Sequence, residues 1–142
     1  MDDTATQQFG HELKYGFARE VSMNFDDAVQ RMREALATEE FGVLSEIRMD
    51  EKFKEKLGVD FRKYVILGAC NPPLAYKTVQ EDINIGLLLP CNVIVYESED
   101  KSRSVVAAID ADAMMSVVGS GDEIRSVALE VNGRLKRALD HV

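Results

Sequence analysis

Apolar residues return at helical spacing in two stretches of the chain. Phe25, Ala28, Val29, Met32, Ala35 and Leu36 form the first stripe, opened by Asn24, which suits an N-cap, and by Asp26 and Asp27, which suit the positive end of a helix. Ile124, Val127, Ala128, Val131, Leu135, Ala138 and Leu139 form the second, in a helix that starts at Asp122 after the break from Gly119 to Gly121. Elsewhere the period drops to two. Tyr15, Phe17, Val21 and Met23 alternate with Gly16, Ala18, Glu20 and Ser22, a half-buried strand interrupted on its apolar side by Arg19. Phe41, Val43 and Ile47 occupy odd positions and predict a strand from Phe41 to Met49, entered through Gly42. Val105, Ala107 and Ile109 alternate with Ser104, Val106 and Ala108 in a strand from Arg103 to Ile109, after a polar hairpin tip at Glu97 to Lys101.

Two further segments, Tyr64 to Cys70 and Leu87 to Tyr96, are apolar at almost every position apart from Pro90 and Asn92, the pattern of strands inside a sheet. Shorter helices fit between: one capped by Asp50 and ending near Leu57 and Gly58, one opened by Pro72 and Pro73 and running to Glu81, and one capped by Asp110 and running to Val118. Two long helices with one apolar face each, and about five strands on short connections, predict an α+β fold. Its form is a two-layer sandwich with both long helices on one face of a mainly antiparallel sheet. Residues 1–13 are expected to be a flexible N-terminal tail and residues 14–142 a single domain, since one core is the default at 142 residues.

Charge narrows the partners. The formal net charge is -8, so the chain has no positive surplus to neutralise phosphates, and neither nucleic acid nor an anionic membrane surface is expected. Apolar runs such as Ile85 to Pro90 and Tyr64 to Cys70 are far short of the roughly 20 residues that span a bilayer. Without a signal-like start the expectation is a cytoplasmic protein, in which two cysteines stay reduced.

The most distinctive local sequences are Gly68-Ala69-Cys70-Asn71-Pro72-Pro73 and Leu89-Pro90-Cys91-Asn92. If their strands run antiparallel, with the short helix as an excursion, Cys70, Asn71, Pro72, Pro90, Cys91 and Asn92 gather at one sheet edge as a candidate ligand or thiol site. Cys70, just before a helix N-terminus, is placed where the dipole lowers a thiol pKa. The plain alternative is that both cysteines fill the core, and that the asparagines only satisfy turn and cap backbone. A zinc site is disfavoured because the cysteines are far apart and the only histidines, His11 and His141, lie near the chain ends. Glu81, Asp82 and Glu97 read as solvated charges. No phosphate loop, nucleophilic-serine elbow or paired-histidine motif is present.

The segments GACNPPLAYK and GLLLPCNVIVYE resemble the prokaryotic domain of unknown function numbered 302, and the likeness runs from about Tyr15 to the C-terminus. The resemblance implies a β-α-β(4)-α sandwich shaped like half of a TATA-binding protein, and a homodimer. It implies no catalytic, metal or cofactor residue. The functional expectation is a non-enzymatic module that binds a small molecule or a protein partner between sheet and helices, with the cysteine edge at its rim. The alternative is a thiol site, redox-active or binding a soft metal, built on Cys70 and Cys91.

Overall fold

The computed structural model describes residues 13–119 and 121–142; of the expected tail, residues 1–12 lie outside them. Five strands, β1 (Gly16–Val21), β2 (Gly42–Arg48), β3 (Tyr64–Cys70), β4 (Cys91–Glu97) and β5 (Ser104–Ile109), form one sheet in the order β1-β5-β4-β3-β2. Every neighbouring pair is antiparallel. The helices are α1 (Phe25–Thr38), α2 (Met49–Leu57), α3 (Pro72–Glu81), α4 (Ala111–Met115) and α5 (Asp122–Asp140). With α2, α3 and α4 as insertions, this is the β-α-β(4)-α order.

The two amphipathic stripes place α1 and α5 side by side on one face. Asn24 caps α1 by accepting a hydrogen bond from the Asp27 amide at 2.9 Å. Met32, Leu36 and Leu135 are completely buried against Leu67, Val93, Val95 and Val106 from the inner strands. Asn132, also buried on α5, ties this layer to α4, since its side chain accepts from the Ala111 amide at 2.7 Å and donates to Asp110 at 2.9 Å. Asp110 in turn caps α4 at the Ala113 amide.

Three expectations change. The strand predicted from Leu87 begins only at Cys91, because Ile83–Leu88 forms a 3-10 segment. Its Leu87 is 89% exposed. Asp50 does not cap α2 from outside; it lies within the first turn, where its carboxylate accepts from Arg48 at 2.8 Å and from the Tyr64 amide at 3.2 Å. In β2 the register slips between Val43 and Ser45. This bulge puts Val43, opposite Ala69, on the helix-covered face and Ile47, opposite Ile66, on the other, although regular alternation would keep them together.

Candidate functional site

The cysteine edge was the sequence's own candidate. β3 ends at Cys70, and the Asn71 side chain, buried, accepts from the Leu74 amide at 3.2 Å to cap α3. Pro72 occupies the first helical position, where its missing N–H costs nothing, so both residues are explained by the helix they start. The antiparallel register pairs Cys91 with Ala69, while Cys70 pairs with Gly42 of β2. Alternation along β3 sends Ala69 and Cys70 to opposite faces, so Cys91 follows Ala69 into the covered core and the two thiols do not form a facing pair. Both are free.

The thiol chemistry also departs from expectation. Burial pushes the Cys91 thiol up to about 11, with a smaller push from Cys70, and burial raises Cys70 as well. Desolvation of the charged form outweighs any help from the start of α3, so both thiols are protonated at neutral pH. Behind this edge lies an apolar cavity of only about 30 Å³, lined by residues including Phe41, Leu74, Cys91, Met115 and Val131. That is room for about one water, with almost no polar group to hold it.

The larger concavity lies on the opposite face of the sheet, which no helix covers among the described residues. Side chains there run in rows across the strands: Ile47, Ile66, Ile94, Ala107 and Ala18 in one, Tyr64, Tyr96 and Val105 in the next. Ala18, Val105 and Ala107 form a small second cluster with Ile94 and Tyr96 against it. A hollow of about 590 Å³ opens over them, bordered by Leu13, Tyr15, Phe61, Arg62, Tyr64, Tyr96 and Asn92. Tyr64 and Tyr96 stack with centroids 5.5 Å apart and planes 7° from parallel, and Phe61 links this pair to Phe53 of α2. Burial raises the pKa of both tyrosines, so their hydroxyls stay protonated and able to donate.

Of the six candidate residues only Asn92 borders this hollow; Cys70, Asn71, Pro90 and Cys91 border the small cavity, and Pro72 borders neither. Pro90 matters in another way. A side chain on Gly68 would meet the Pro90 ring at 2.8 Å and also strike Ser45 Oγ, so the proline-cysteine segment folds down on a strand that must be bare there. The residues that shape the hollow, Tyr15, Phe61, Arg62, Tyr64 and Tyr96, carry no motif. One signal was available: inner strands apolar on both sides, beside helices enough for only one side, leave an apolar face uncovered.

The fold is thus an α+β sandwich with a helical layer on one side and a bare, aromatic-rimmed sheet on the other. The chain belongs to the family described as domain of unknown function DUF302, whose model matches residues 17–142. A crystal structure of an uncharacterized conserved DUF302 protein from Bacillus stearothermophilus is similar, with a TM-score of 0.81 and 28% sequence identity. That match covers 89% of this chain and 96% of the other. No curated protein matches the chain. Among the described residues no helix is long and apolar enough to cross a membrane.

Proposed function

We propose that this protein is a non-enzymatic binding module, cytoplasmic and homodimeric, whose ligand surface is the uncovered sheet face. The observation that carries the reading is the contrast in volume: about 590 Å³ on the bare face, against about 30 Å³ behind the cysteine edge and about 180 Å³ in a second hollow there beside Leu88, Pro90 and Cys91. The largest falls inside the range of roughly 300 to 1,000 Å³ typical of small-molecule sites, and its apolar lining with a few polar groups is the composition such sites share. A thermal-shift screen of metabolites tests it. Hits should disappear in Ala107→Leu, which fills the floor, and survive in Cys91→Ser; the reverse pattern would return the site to the cysteine edge.

The dimer is assigned to a different part of the molecule. Helix α2 has no buried residue, and Leu57 at its end and Leu44 on the β2 bulge are 68% and 67% exposed. A nine-residue helix is marginal on its own, and β2 is an open sheet edge, so both gain from a second copy packed there. Light scattering should give twice 15.9 kDa and fall to the single mass in Leu44→Glu with Leu57→Glu. A constant single mass in the unaltered protein would remove the dimer.

The thiol reading stands second, supported by both cysteines bordering one cavity. It requires native Cys70 and Cys91 to react with iodoacetamide faster than model thiols at neutral pH.

A further inference from the structure

We propose that the hollow on the bare sheet face takes a small planar aromatic acid, its ring over the alanine floor and its carboxylate at Arg62; the inference rests on that face being the binding surface. Ala18 and Ala107 are direct cross-strand partners, with Ile94 next in the row, so the floor is a patch of methyl groups and short side chains. Stacked Tyr64 and Tyr96 stand beside it. A flat ring gains from both, through apolar contact below and aromatic packing at the side, whereas a bulky aliphatic group gains only the first.

Arg62 supplies the charge preference. Among the described residues it is the only side chain bordering the hollow with a formal charge. Its Nη1 donates to the Glu97 carbonyl at 3.1 Å, and its guanidinium lies 5.8 Å from the Tyr96 ring centre, so the head group is held at the rim. Among the described residues no carboxylate pairs with it, while Arg48, Arg103, Arg134 and Arg137 all have acidic partners. In a chain with 25 acidic and 17 basic residues, an arginine without an acid beside an aromatic hollow is poised for an anion from outside, and its fork suits a carboxylate. Asn92 borders the far end, four residues before Tyr96 along β4. At about 3.3 Å per residue this separation is roughly 13 Å, enough for two fused rings and an acid group.

The test uses 2-naphthoate and its neutral isostere 2-naphthamide, titrated into the full chain by amide NMR. The expected result is that both perturb Ala18, Ile94 and Ala107, that the acid binds about tenfold tighter, and that Arg62→Gln erases this preference while Arg62→Lys keeps part of it. Equal affinities in the unaltered protein, with the same amides moving, would overturn the acid assignment and leave the hollow as a site for neutral ligands. No movement of those amides by either compound at millimolar concentration would overturn both the inference and the reading beneath it. The comparison of acid with amide needs no variant, so a poorly folded Arg62→Gln cannot obscure it.

Discussion

The two faces of the sheet use similar side chains for different ends. On the covered face Leu67, Val93, Val95 and Val106 are wholly buried beneath α1 and α5. On the bare face Ile66 and Ile94 are only half-buried, and Tyr15 stays 69% exposed. The first face shows what aliphatic side chains do when a helix layer closes on them: they lose all contact with water, and their shapes interlock. The second has no helix over it among the described residues: Ala18, Val105 and Ala107 are buried at its floor among Ile94 and Tyr96, while the rim around them stays open. Apolar surface without a cover signals interaction rather than stability.

The comparison is broken most forcefully by equal truncations on the two faces. Leu67→Ala should cost about 3 kcal/mol, because it removes buried methyl groups and leaves a cavity beneath two helices. Ile66→Ala, the preceding residue on the other side, should cost about 1 kcal/mol, since much of its surface already meets water. Urea unfolding of both variants measures the difference. Similar losses would mean that the bare face is covered in solution, and a concentration-dependent loss for Ile66→Ala would show that a second copy does the covering.

Gly68→Ala probes where the proline-cysteine segment crosses to the bare face. The added methyl group meets the Pro90 ring and Ser45 Oγ, and the ring, unlike a long side chain, cannot swing aside. A loss of about 2 kcal/mol is expected from this overpacking. Ser45→Ala in the same chain should recover part of it; full stability of the single variant would show that Pro90 does not lie against β3.

Much of the fold is legible in the sequence, because its two helical stripes and the β3 pattern each obey one period and face one environment. The readings that went astray had local causes. Leu87 to Leu89 look like the start of β4, but Asp82 caps the 3-10 segment at the Asn84 amide and delays the strand to Cys91. Val43 and Ile47 look like one face until the bulge separates them. The candidate site was less legible. Cys70, Asn71, Pro72, Pro90 and Cys91 stand out as letters because a cap, a helix start and a crossover need unusual residues. The hollow instead comes from ordinary alanines and tyrosines, meaningful only once the register aligns them across four strands and the helices are seen to lie on the other side.

The smallest effect concerns the link between α2 and the sheet. Hydrogen bonds from Arg48, then the backbone amide of Tyr64, hold the Asp50 carboxyl below its ordinary value despite partial burial. A depressed folded value means that the bond stabilises the protein above the ordinary carboxylate range, near pH 4, and is lost as pH falls through the lower folded value. Asp50→Asn should therefore cost about 1 kcal/mol at pH 7 and flatten the acid limb of the stability curve. Because α2 buries nothing of its own, hydrogen exchange should quicken in Met49–Leu57 well before it does in α5. If exchange in α2 is unchanged by Asp50→Asn, then other contacts, such as Phe53 against Phe61, hold α2, and Asp50 is not its link to the sheet.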